Sequence, residues 1–131
     1  MKRQFSIPLK ALAVSLIGTG VGADALYDRY AAAHQAINRQ MFVVFGSDPA
    51  QGNWTAQDHQ RGRCALAELE ALRGRKTAEK YVSALEWGVG QTKGFTRAGE
   101  FGALASQMHR NGGVKLERDA VPIARKCGVG P

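Results

Sequence analysis

The sequence predicts an all-α fold: a small single-domain bundle of four to five helices, with one disulfide and a signal peptide ahead of it. Three observations lead there. Apolar residues recur at spacings of three and four in successive segments, the period of a helix with one buried face. Glycine-rich stops separate those segments, and no pair of alternating apolar and polar runs offers a β-hairpin. Finally, 131 residues with 44% hydrophobic content suit one domain with a modest core. That content is too high for a disordered chain, and two cysteines are too few for a cysteine-dense mini-scaffold.

Residues 1–25 read as the signal peptide. Lys2, Arg3 and Lys10 form a basic start, residues 11–21 are uncharged, and small residues follow in Val21-Gly22-Ala23 and Ala23-Asp24-Ala25. This three-part layout predicts cleavage after Ala23 or Ala25. The uncharged run is well short of the roughly 20 residues that span a bilayer. Gly18, Gly20 and Gly22 each weaken a helix by about 1 kcal/mol relative to alanine. The expected product is a single helical domain, 26–131, periplasmic or secreted, with no transmembrane span after cleavage.

The first mature helix is expected over 26–45, where Tyr27, Tyr30, His34, Ile37, Met41 and Val44 share a face. Gly46-Ser47-Asp48-Pro49 ends it, and 46–54 reads as a loop. Thr55 and Asp58 are spaced to cap the next helix, 56–73, which stops at Gly74. Leu66, Leu69 and Leu72 make one apolar face of that helix, with Cys64, Ala67 and Ala71 roughly opposite. Two such faces predict a sandwiched, central helix whose small-residue side accepts the Cys127 segment.

A third helix is expected over 78–87, capped by Thr77, with Ala78, Tyr81, Val82 and Leu85 inward. Residues 88–94 read as a glycine-rich hinge; they have the composition of a phosphate loop without its order. A fourth helix is expected over 96–110, with Phe101, Leu104, Ala105 and Met108 on one face, ended by Asn111-Gly112-Gly113. A short helical piece around 119–126 starts with Pro122 in its first turn and places Ile123 and Cys127 on one side.

Cys64 and Cys127 are the only cysteines, and in an exported chain they are expected to form one structural disulfide. Closing so long a loop is worth about 4 kcal/mol by chain-entropy arguments. No Cys-x-x-Cys redox pair and no haem-attachment motif accompanies them.

Chemistry-bearing residues are sparse. His34, His59 and His109 are the only histidines, and neither His-x-x-x-His nor His-Glu-x-x-His occurs. A buried histidine satisfied by one hydrogen bond is the expected state of His34. Asp58 and His59 are neighbours pointing about 100° apart on a helix. No Gly-x-Ser-x-Gly elbow surrounds any serine, and neither a resident metal nor any other cofactor is expected. Arg73, Arg75, Lys76 and Lys80 cluster at the turn between the second and third helices, with Arg61 and Arg63 about three turns earlier. With 18 basic against 11 acidic residues, a formal charge of +7, this corner could meet an anionic partner. Trp87, at the end of the third helix, is a candidate anchor for a protein partner. No nucleic-acid-binding motif is present.

The sequence therefore leans away from an enzyme. It favours a small exported helical protein with a non-catalytic binding or assembly role in the cell envelope, using Arg73, Arg75, Lys76, Lys80 and Trp87 toward a protein or an anionic envelope component. One alternative is a small exported hydrolase or metal-binding protein using His34, Asp58, His59 and His109. Another is a structural subunit of an envelope complex.

Overall fold

The computed structural model describes the backbone of residues 6–129 and the side chains of residues 24–129. Five α-helices and no strand occur among the described residues: α1 (Ser6–Val44), α2 (Ala56–Arg73), α3 (Arg75–Gln91), α4 (Gly99–Gly112) and α5 (Val121–Cys127). Single-turn 3₁₀ segments lie at Pro49–Gly52 and Thr92–Gly94, and a π-turn at Leu116–Ala120 leads into α5. No described helix is long and apolar enough to cross a membrane.

Helix α1 begins upstream of residue 26, where the apolar stripe alone placed its start. The side chains of residues 1–23, most of the expected signal segment, lie outside the described set. Among those described, Asp24 and Ala25 are exposed and Leu26 is the first to be buried. Downstream the helix closes at Gly46, whose φ of +78° suits glycine. The amides of Phe45, Gly46 and Ser47 bond back to the carbonyls of Met41, Val43 and Phe42.

The connection to α2 then folds along α1. Asp48 accepts a hydrogen bond from the Ala50 amide, which starts a 3₁₀ turn with Pro49 at its head. Gly52 at the end of this turn presses on the α1 backbone, where a Cβ would stand 2.5 Å from the Arg39 nitrogen. Arg39 donates to Asn53 at 2.9 Å, and Gln35 accepts from the Trp54 amide at 2.8 Å. The loop is thereby held against α1.

Thr55 and Asp58 form a complete capping box at the start of α2. The helix stops at Gly74, whose φ of +92° turns the chain in a single residue. Helix α3 therefore starts at Arg75, earlier than the expected 78, and Thr77 lies within its first turn instead of capping it. Gly88 and Gly90 do not break α3, which runs to Gln91. The expected hinge at 88–94 is thus mostly helix, because Gly88 is where α4 packs close: a Cβ there would collide with the Met108 sulfur. Helix α4 starts at Gly99, later than the expected 96, because Glu100 reaches back to accept from the Thr96 and Arg97 amides. Those residues form the entry turn.

The central helix is α3, not α2. Ala78, Val82 and Leu85 are fully buried, and α3 packs against α1, α2 and α4. Helix α2 buries Ala65, Leu66 and Leu69, but Ala67, Ala71 and Leu72 on its other sides are exposed. Its small side chains bury too little area to draw in a second full layer. The flank carrying Cys64 does receive α5, through a Cys64–Cys127 disulfide with Cα atoms 5.6 Å apart. Beneath α5, Asp119 is fully buried.

Two stability outcomes follow from these contacts. Replacing both cysteines by alanine lowers unfolding free energy in urea by about 4 kcal/mol, the loop-closure value for a separation of 63 residues; a loss below about 1 kcal/mol contradicts a stapling role. Gly52→Ala forces the loop off α1 and costs about 2 kcal/mol, as overpacking does, measured the same way.

Candidate functional site

The basic corner is only partly available. Arg73 reaches beneath the α2–α3 turn to Asp119, at 2.6 Å, and Arg75 pairs with Glu79 at 3.2 Å and Glu70 at 3.6 Å. Lys76 and Lys80 are exposed and take part in no ion pair among the described residues. A groove at the end of α4, lined by Ser106, His109, Arg110, Gly113 and Lys115, has a volume near 710 Å³. A Cβ on Gly113 would come within 3.9 Å of the Lys80 ammonium. Lys80 therefore lies beside the Gly113 edge of this groove, and no acidic side chain is among the described residues that line it. Trp87 remains 37% exposed on α3.

A second feature lies inside the bundle. A cavity of about 420 Å³, partly open to solvent, is walled by all five helices and by Trp54, Val114 and the Gly128–Val129 tail. It brings together three residues of the alternative set, His34, Asp58 and His109. The fourth, His59, is held elsewhere: its Nδ1 lies 2.7 Å from the Tyr27 hydroxyl, which also donates to the His59 carbonyl. Among the described residues no three His, Cys, Asp or Glu side chains converge as metal ligands do.

Local structure explains how the cavity acquires its polar groups. Tyr30 and His34 are one α-helical turn apart, so both face inward from α1, with rings 4.6 Å apart and edge-on. Trp54 stacks on His34 at 5.6 Å, held there because Gln35 binds its amide. Tyr81 from α3 stacks on His109 from α4 at 5.9 Å, where Gly112 leaves room for the tyrosine. The remaining walls are apolar, chiefly Leu66, Leu69, Leu85 and Met108.

These polar groups lack internal partners. His34 Nε2 is shut off from solvent without a hydrogen bond, contrary to the expected satisfied histidine. The Tyr30 and Tyr81 hydroxyls also bond to no described residue, but unlike the His34 nitrogen they are not sealed from solvent. An unpaired buried polar atom costs about 1–3 kcal/mol, so the sealed His34 nitrogen is a local departure from an optimal core.

Burial also sets their charge. Desolvation, aided by nearby His109, lowers the His34 pKa to about 4, and desolvation lowers that of His109 too. Desolvation raises the Tyr81 pKa to about 12 and drives that of Tyr30 upward, with Tyr81 and Tyr27 adding to the rise. All four groups are therefore uncharged at neutral pH. The charged residues in the lining are Asp58 and Arg61. Asp58 is held below the usual carboxylate range chiefly by the Thr55 amide, with Arg61 contributing.

Sequence reasoning singled out His34, Asp58 and His109 without seeing that they meet, and it gave Tyr30 and Tyr81 only core roles. The helical-turn spacing of Tyr30 and His34 was the one available signal. Meeting across α1, α3 and α4 depends on packing that no local pattern reports. Comparison with family models, curated proteins and solved structures gives no match, so geometry carries the functional reading.

The pH response follows from His34. Its folded pKa lies below the unfolded value of 6.5, so the unfolded chain binds the extra proton first. Its stabilising contribution is complete above about pH 6.5 and is lost as pH falls toward 4. The titratable and aromatic groups that share its cavity are Tyr30, Trp54, Tyr81, His109, Asp58 and Arg61. Between pH 7 and pH 4, wild type should lose about 2–3 kcal/mol more in urea denaturation than His34→Phe. Equal losses would show that the imidazole does not titrate in this environment.

Proposed function

We propose that the protein is an exported, non-catalytic binding protein whose ligand occupies the interhelical cavity. The observation that carries this reading is the cavity itself: about 420 Å³, within the usual range of small-molecule sites, apolar in most of its walls and holding several unpartnered polar groups. Export is supported by the tripartite leader and by the disulfide.

A second reading keeps the basic surface, now the groove lined by Arg110 and Lys115 with Lys80 beside its Gly113 edge, as the contact for an anionic envelope component. The lack of any acidic side chain among the described residues lining that groove favours it. Chromatography on immobilised heparin checks it: the double variant Arg110→Gln, Lys115→Gln should elute at clearly lower salt than wild type, whereas an unchanged profile removes the groove from consideration.

The principal proposal has two checks. Intact mass of the protein from a native extract should correspond to a chain starting at Asp24 or Leu26; an intact Met1 overturns export. Calorimetric titration with 2-naphthol, a compact ring-bearing probe, should show saturable 1:1 binding that is lost in the cavity-filling variant Ala105→Leu while the variant keeps its helical circular dichroism. Absence of binding by wild type, or binding unaffected by filling the cavity, overturns the ligand site.

A further inference from the structure

The cavity's polar groups form one cluster. Tyr30 and His34 come from α1, Tyr81 from α3 and His109 from α4, linked by ring contacts of 4.6 Å and 5.9 Å within the two pairs. The two tyrosines lie within electrostatic reach of each other, as do the two histidines, so the pairs face a common space. Three different helices supply the four side chains, and each lines the cavity. The two hydroxyls can each donate and accept, and a neutral imidazole offers one donor and one acceptor nitrogen.

Resting on the cavity reading above, we infer that the ligand is an uncharged, mostly apolar, ring-bearing molecule whose single hydroxyl or amide group is received by Tyr30, His34, Tyr81 and His109. The remaining walls favour an apolar body, because Leu66, Leu69, Leu85 and Met108 provide no hydrogen bonds. Rings suit a space already bounded by Trp54, Tyr30 and Tyr81. A hydroxyl or amide both donates and accepts, so it can satisfy a hydroxyl and an imidazole nitrogen at once. A free charge is disfavoured: none of the four groups carries a compensating charge, and Arg61, the one cation in the lining, already has Asp58 within reach. Placing an ion among neutral buried groups without a counter-charge is costly.

Three matched probes test this class: 2-naphthol, 2-methylnaphthalene and 2-naphthoate share a ring system and differ in the polar group. Each is titrated into wild type, Tyr81→Phe and His34→Phe at pH 7. In wild type, 2-naphthol should bind at least about tenfold tighter than either other probe, the scale of one well-made buried hydrogen bond. In each Phe variant its advantage over 2-methylnaphthalene should shrink to about threefold or less. The ¹⁵N resonance of His34 Nε2 should shift on adding 2-naphthol and not on adding 2-methylnaphthalene. Equal binding of 2-naphthol and 2-methylnaphthalene overturns the polar recognition while leaving a ligand cavity. Tightest binding by 2-naphthoate overturns the uncharged class and points to Arg61. Failure of all three probes to bind wild type overturns both this inference and the cavity reading, leaving the space to water.

Discussion

The Cys64–Cys127 bond is the constraint on which the interior depends. Helix α5 is only seven residues long, well below the length at which a helix persists without tertiary support. Yet Ile123 and the adjoining Ala120, Gly128 and Val129 form one wall of the cavity. The disulfide fixes this segment to α2. Two polar ties reinforce it: the exposed Lys126–Glu68 pair at 3.0 Å and the buried Asp119. The latter takes hydrogen bonds from Arg118, Arg73 and the Lys115 amide, which hold its carboxyl well below the usual range. Burying Asp119 is tolerable only because those donors surround it. The same contact explains why Arg73 contributes little to an outward basic surface.

Local signals made much of the fold legible. The Thr55–Asp58 box and Gly74 bound α2 at the residues expected, and the lone cysteine pair gave the disulfide. Non-local contacts defeated the rest. Thr77 has the chemistry of a cap, but the positive φ of Gly74 had already reversed the chain, so α3 could begin three residues earlier. Glycines 88 and 90 read as a hinge because their cost to a helix is local and visible. What offsets it, the close approach of Met108 to Gly88, belongs to α4 and is invisible in the segment itself. The centrality of α3 over α2 was hidden for a similar reason: both carry apolar faces and both touch three other helices, and only packing shows that α3 is the one whose inner face is fully buried.

Site residues divide along the same line. A histidine on an apolar stripe can be recognised from spacing, but whether its nitrogen finds a partner depends on what arrives from other helices. Here Trp54 arrives as a stacked ring and contributes no hydrogen bond to His34 Nε2. The basic corner shows the converse. Four cations close in sequence look like one patch, yet two are taken up by acids of the chain itself, while Lys80 reaches to Gly113 at the end of α4.

That the cavity survives in so small a domain has an energetic meaning. A bundle of this size has only a few kcal/mol of net stability to spare, and the unpartnered, buried His34 nitrogen draws on that margin. Substituting phenylalanine at Tyr30, Tyr81 or His34 removes polar atoms while preserving ring volume and edge contacts. If those groups served packing alone, the apolar replacements would stabilise the protein and leave nothing else changed. The combination of an open interior, neutral hydrogen-bonding groups from three helices and a covalent tether closing the last wall is what a preformed ligand site requires. The tether limits the ordering cost of closing that wall, and the neutral groups keep the interior accessible to uncharged guests. A ligand satisfying the orphaned groups would then stabilise the folded state in proportion to its occupancy.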